Sequence, residues 1–217
     1  MATWIAHMRI AEHFMNVHES LNNTAFLVGN IAPDSGVPNE DWSAFTPDGN
    51  ISHWRNADGI NAERFKKEYL QPENEKYPFY LGYYFHLLTD IEWTAFFMKK
   101  RQEPIYAEGL NANEKFIWEI KKDWYGQDRV YLQENKESVF FTRFSKIRSF
   151  PNIYLDYFPD DAFMHRIDYI TKFYLDRYED EDPNRAFPFL SKGEMDAFVS
   201  GVIGGLEKHC PLPWQFG

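Results

Sequence analysis

A single cysteine, Cys210, stands in the 217 residues. That excludes an intrachain disulfide and any zinc module built on several thiolates. No run approaches the roughly 18 apolar residues of a membrane span. The opening Met1-Ala2-Thr3-Trp4-Ile5-Ala6-His7-Met8-Arg9 lacks the basic start and apolar stretch of a secretion signal. A soluble, cytoplasmic chain is the expectation. Positive charge is also scarce: 23 Lys and Arg face 33 Asp and Glu, for a net charge of −10. A phosphate-backbone binder wants the opposite sign, so long nucleic acid is not an expected partner. Alternating strand patterns are few, and there is no repeat or low-complexity tract.

Aromatic residues, by contrast, are abundant. Twenty Phe, 13 Tyr and seven Trp make 18% of the chain, enough for a sizeable core and incompatible with bulk disorder. The length suits one domain over 1–217, or at most two small ones.

Periodicity is mostly helical. Residues 5–18 place Ile5, Met8, Ala11 and Met15, flanked by Ile10, Phe14 and Val17, at three- and four-residue spacings. Ser20 or Asn23 can start a second short helix that ends near Gly29. From there to Gly59 the chain reads as a long loop punctuated by Pro33, Gly36, Pro38, Pro47 and Gly49. Residues 61–70 form a third helix. Pro78 opens a fourth, apolar nearly all round and running to about Met98, as expected of a helix at the centre of a bundle. Helices over 111–124, 130–148, 160–178 and 191–208 complete an all-α, single-domain bundle, and Pro211 and Pro213 mark a plain tail.

The strongest chemical signal is His86-Leu87-Leu88-Thr89-Asp90. On a helix, residues four apart stack on one face, so imidazole and carboxylate point the same way. That geometry suits a metal-binding pair. A core His hydrogen-bonded to its neighbouring Asp gives the same pattern. An ionised Asp in so apolar a segment is costly unless it is paired or metal-bound. Upstream lie His7, Asp34 and His53, each with an ordinary explanation of its own: a core or helix-start His, a turn residue, a surface His. A bundle core can nevertheless gather such residues from facing helices and a crossing loop into one metal site.

The segments His7-Met8-Arg9-Ile10-Ala11, Gly29-Asn30-Ile31-Ala32-Pro33-Asp34-Ser35, Ser52-His53-Trp54 and Phe79-Tyr80-Leu81-Gly82-Tyr83-Tyr84-Phe85-His86-Leu87-Leu88-Thr89-Asp90 resemble the zinc-dependent phospholipase C family. That family is related to the S1/P1-type nucleases. The resemblance covers roughly residues 4–95. It implies a phospholipase C-type helical bundle with a long metal-binding loop between helices 2 and 3. It also implies one zinc held by Asp34, His53, His86 and Asp90, with Asp90 bridging to a second ion bound by His7. Asp34 takes the further role of general base.

The sequence departs from the family at several points. Trp4 resembles an amino-terminal tryptophan whose free amine and carbonyl bind metal, yet Met1-Ala2-Thr3 precede it. Phe96 stands where a third histidine ligand is expected. His165, with Asp168 three residues on, is the remaining substitute, against a plain surface or core His. One or two Zn²⁺ ions are therefore expected, not a complete trinuclear site. The aromatic residues that such phospholipases place around a choline head group are not evident; Ser35 and Asn50 fall near those positions. The expected function is a metal-dependent phosphoric-ester hydrolase acting on a phospholipid head group or small phosphodiester through a metal-activated water. A nucleotide phosphodiesterase and a non-catalytic relative with a structural metal are the alternatives. Lys99-Lys100-Arg101 reads as the solvated end of the long helix, with anion steering as its other use.

Overall fold

The computed structural model describes residues 1–209, so the expectations for Cys210, Pro211 and Pro213 lie outside the described residues. It is 64% helix and 4% strand, an all-α architecture. Helix α1 (Trp4–Val17) begins where the Thr3 hydroxyl accepts from the Ala6 N–H. Its inward face is the predicted one, Ile5, Met8, Ile10, Ala11, Phe14 and Met15, whereas Val17 at the helix end is exposed. Helix α2 (Thr24–Gly29) is capped by Asn23, whose side-chain oxygen accepts from the Phe26 N–H at 2.8 Å.

The long connection carries more structure than its punctuation suggests. A 3-10 turn over Ala32–Asp34 leads into a minimal hairpin, β1 (Val37–Pro38) paired with β2 (Phe45–Thr46). One helical turn, α3 (Gly49–Ser52), and a second small hairpin, β3 (Arg55–Asn56) with β4 (Gly59–Ile60), complete it. Helix α4 (Ala62–Tyr69) and the long α5 (Tyr77–Lys100) follow close to their predicted ranges.

Beyond α5 the predicted helices at 111–124 and 130–148 are replaced by α6 (Pro104–Ala112), α7 (Ile117–Glu134) and the single turn α8 (Val139–Thr142). Asn113 breaks the first: its backbone is extended and its side chain caps the next turn by accepting from the Lys115 N–H. Helix α7 then runs straight through Gly126, where a Cβ would stand only 2.4 Å from Arg185 Nη2. Helices α9 (Ala162–Leu175) and α10 (Lys192–His209) close the bundle.

Helix α5 is the axis, packed by α2, α4, α1 and α10. Its closest neighbour is α2, and two glycines make that approach possible. A Cβ at Gly29 would stand 2.2 Å from the Phe79 carbonyl oxygen, and one at Gly82 would stand 2.3 Å from that of Phe26. Lys100 departs from the solvated helix end expected of it. It is buried, with ion pairs to Glu194 at 2.7 Å and Glu103 at 2.9 Å.

On α7, the buried Asp128 ties the start of α1 to the bundle. It accepts from the Thr3 hydroxyl at 2.7 Å and from the Tyr174 hydroxyl. Burial pushes its pKa up to about 7, against which the two hydroxyls and the nearby arginines work. A carboxyl with a raised folded pKa binds its proton more tightly folded than unfolded. Its contribution to stability is therefore largest below the unfolded pKa near 3.8 and is lost as pH rises toward 7. The expected size is on the order of 4 kcal/mol. Asp128→Asn keeps both hydrogen-bonding positions without the titration. Thermal melts from pH 4 to 8 should lose this slope, and the variant should at least match the parent at pH 8. A variant much weaker at pH 8 would contradict the assignment.

Candidate metal centre

His86 and Asp90 lie on α5 as the spacing requires, facing α1 and the long connection. The three-residue turn Ala32–Asp34 delivers Asp34, and the C-terminal end of α3 delivers His53. Trp54, next in sequence, takes a left-handed backbone conformation (φ 53°) that suits glycine better than tryptophan. Packing holds it there: its ring lies edge-on to Phe65 at 5.4 Å and its indole N–H donates to the Tyr157 hydroxyl at 3.1 Å. The Tyr83 hydroxyl donates to the Ser52 carbonyl, fastening the same segment to α5.

The five residues singled out from the sequence converge. His53 Nε2 stands 3.3 Å from Asp34 Oδ1 and 3.5 Å from Asp90 Oδ2, and His86 Nε2 is 3.6 Å from the same Asp90 oxygen. His7 Nε2 lies 3.6 Å from Asp90 Oδ1, and its ring stacks on His86 at 3.8 Å. Two groups, His7–His86–Asp90 and Asp34–His53–His86, each bring ligand atoms within 4.8 Å of one another. His7, His86 and Asp90 have no appreciable exposure, and His53 is 3% exposed.

These separations are long for good hydrogen bonds. They suit ligands sharing an ion, since bonds of about 2.0–2.1 Å at tetrahedral angles put neighbouring donor atoms roughly 3.3 Å apart. The bonding of the outer ring atoms agrees. His86 Nδ1 lies 2.8 Å from the Asn30 carbonyl and His53 Nδ1 lies 3.0 Å from that of Gly49. A carbonyl only accepts, so each Nδ1 carries a proton and each Nε2, once deprotonated, turns its lone pair inward. That arrangement fixes an imidazole as a metal ligand. His53 Nε2, His86 Nε2, Asp90 Oδ2 and both nitrogens of His7 are buried without a hydrogen-bond partner. Each orphaned group costs about 1–3 kcal/mol. A cation among them would satisfy them together, so the donor set fits a metal ion.

Electrostatics prepares the same state. Burial, then the charge of His86, lowers the His7 pKa to about 4, so His7 is neutral near pH 7; Asp90 opposes the shift without reversing it. Burial pushes Asp34 up, but the His53 contact and the charges of His86 and His53 outweigh it and hold the carboxyl well below the usual range. Asp90 follows the same logic: burial raises its pKa, and His7 and His86 beside it bring it far lower. His86 is raised, because Asp90, Asp34 and the Asn30 carbonyl outweigh its burial. Two ionised carboxylates thus share the cluster with one readily protonated imidazole, whose proton a cation would displace.

Several features had no clear sequence signal. The Ala2 backbone N–H donates to Asp90 Oδ1 at 2.7 Å. Trp4 contributes its indole N–H, which donates to Asp34 Oδ2 at 2.8 Å. Phe96 packs between Trp93 and Phe198, while His165 and Asp168 are exposed on α9 and belong to neither ligand group. Among the described residues, nothing brings a third set of ligands to the cluster. A cavity of about 690 Å³ opens beside it, reaching Asp34 and His53 but not His7, His86 or Asp90. Ser35 is buried and Asn50 lies exposed on the cavity wall. Aromatic rings absent from the expected positions come instead from Trp4, Trp42, Phe45 and Tyr169. Among the described residues, no helix is long and apolar enough to cross a membrane.

No protein-family model matches the chain, and neither a curated protein nor a solved structure shows significant similarity to it.

Proposed function

We propose that the chain is a metal-dependent phosphoric-ester hydrolase of the phospholipase C type, with zinc as its ion. The observation that carries the reading is the set of buried, inward-facing and unpartnered ligand atoms at the edge of a cavity. A core built only for stability would not leave them so. The resemblance over residues 4–95 points the same way, since its five ligand positions are the five that converge.

Asp34, His53, His86 and Asp90 would hold one ion. His7, with the second oxygen of Asp90, would hold another. Bound Zn²⁺ would supply a Lewis acid for phosphoryl oxygens and lower the pKa of water toward about 7. The chain's own residues set the approach. His7, His86 and Asp90 form the closed inner wall, so a substrate arrives from the Asp34 and His53 side. Trp4 pins one oxygen of Asp34, leaving Oδ1 to face the centre. The low pKa of Asp34 keeps it ionised near neutral pH and makes it a weak base. It serves first to hold charge and position, and it accepts a proton only from an already acidic water.

The test is metal analysis of protein purified without chelator, followed by hydrolysis of bis(p-nitrophenyl) phosphate. One or two equivalents of zinc and turnover lost on chelation are expected. Metal-free protein that gains neither ion nor activity on adding Zn²⁺ would sink the reading; a bound ion without turnover would leave only a structural metal.

A further inference from the structure

We infer that Arg166, assisted by Lys121, forms an anion-recognition site in the cavity beside the metal centre, selecting small phosphoesters whose organic part is flat and carries no positive charge. The inference rests on the hydrolase reading for its substrate class, but the anion site itself stands on separate residues.

Arg166 lies on α9 at the cavity wall and is only 7% exposed. The chain's other sheltered guanidiniums meet acids: Arg9 pairs with Asp196 at 2.6 Å, Arg129 with Glu181 at 3.3 Å and Arg185 with Asp123 at 2.6 Å. Among the described residues, Arg166 has no carboxylate partner. Its one hydrogen bond runs from Nη2 to the Gly36 carbonyl at 2.9 Å, and its buried Nε has no partner. Removing a cation from water without an opposing charge is expensive, so a position that does it invites an anion. The guanidinium is also held in orientation, lying 5.8 Å from the Trp4 ring and 5.4 Å from that of Tyr169. Arginine suits this arrangement, because its planar fork both stacks on rings and meets a phosphate bidentately.

Lys121 on α7 lines the same cavity, again without a carboxylate partner among the described residues, its ammonium 4.7 Å from the Trp118 ring. Burial lowers the pKa of both cations, and Asp34 opposes that shift in each case. Both therefore feel the carboxylate that marks the open side of the metal centre. Asp34 makes no ion pair with either of them, its oxygens facing Trp4 and His53 instead. A phosphoryl group placed in this cavity would meet the metal ligands on one side and the two cations on another.

The remaining wall defines the organic part. Trp42 is half exposed, holds a left-handed backbone conformation (φ 61°) and leans on Tyr169 at 5.6 Å. Tyr169 in turn carries Arg166, so one continuous surface runs from aromatic platform to guanidinium. A quaternary ammonium would find the rings but also two uncompensated cations, which oppose it. A flat neutral group has the stacking without the repulsion. The cavity volume is in the range of small-ligand sites.

Titration calorimetry with inorganic phosphate tests the anion site directly, on zinc-loaded and on chelated protein. Arg166→Gln should weaken phosphate binding about 30-fold with metal content unchanged, and Arg166→Lys should restore part of the loss. In turnover, the loss should fall on KM for bis(p-nitrophenyl) phosphate. The parent's preference for that substrate over p-nitrophenyl phosphorylcholine should narrow in the variant. Lys121→Gln, at a half-buried site, gives a second reading if Arg166→Gln fails to fold; it too should weaken phosphate binding. Unchanged phosphate affinity in either folded variant would overturn the inference, as would a parent preference for the phosphorylcholine ester. Protein that takes up no zinc but binds phosphate through Arg166 would defeat the hydrolase reading and keep the anion site.

Discussion

Asp90→Asn should lower zinc affinity by more than about 100-fold and abolish chelator-sensitive hydrolysis, while the metal-free protein stays folded. Asp90 is the carboxylate that faces all three histidines of the cluster: Oδ2 faces His53 and His86, and Oδ1 faces His7. Asparagine keeps an oxygen for the Ala2 N–H but surrenders the charge that balances a cation. A ligand present at a thousandfold its Kd stabilises the native state by about 4 kcal/mol, so adding zinc should raise the parent's Tm by many degrees. The variant should show no such rise. Its metal-free Tm should fall somewhat below the parent's, because folding holds the Asp90 carboxyl ionised beside His7 and His86 and the amide lacks that charge. Calorimetry with zinc and thermal melts with and without chelator decide the matter. Parent-like zinc affinity or retained turnover in the variant would contradict the site.

Gly82→Ala should destabilise the protein by about 3 kcal/mol and loosen the metal centre from a distance. The added methyl would lie 2.3 Å from the Phe26 carbonyl oxygen and 2.9 Å from the Asn30 nitrogen. Both are backbone atoms, so relief requires α2 to move away from α5. Moving α2 also moves the Asn30 carbonyl, which orients the His86 ring through Nδ1 at 2.8 Å. Loss of that support should cost about 10–100-fold in zinc affinity, beyond the fall in Tm. Gly201→Ala is the control. It lies in α10 with open space where the methyl would go, and it should stabilise the helix slightly. A Gly82 variant with parental Tm and zinc affinity would show that the two helices are less tightly fixed than the contacts state.

Parts of this arrangement can be read from local sequence because they obey short-range rules. A helical repeat fixes His86 and Asp90 on one face, whatever surrounds them. Asn23 announces the start of α2 by the bond its side chain can make. The region from 104 to 134 misleads for the opposite reason. The periodicity leaves a gap between 124 and 130, whereas the helix continues across it through Gly126, whose missing side chain leaves room for Arg185 from a distant part of the chain. Asn113 is the true break, and its signal is one capping residue among other polar ones, Asn111, Glu114 and Lys115. His7 and His53 are candidates with ordinary explanations of their own until the resemblance assigns them as ligands, since nothing local says that α1 and the long connection meet at α5. Arg166 was beyond reach altogether: its one hydrogen-bond partner is 130 positions away, and an arginine on a helix ordinarily faces water.

The closed inner wall and the open outer edge also bear on how an ion arrives and leaves. His7, His86 and Asp90 offer no path to solvent, whereas Asp34 and His53 border the cavity. On the proposed reading, metal exchange and substrate binding would share one doorway. An anion resting between Arg166 and the centre would obstruct the departure of the ion behind it, so retention would become a matter of traffic as well as affinity. A working enzyme of this design would hold its zinc longest when its substrate is plentiful, and would be most vulnerable to a scavenging chelator when idle.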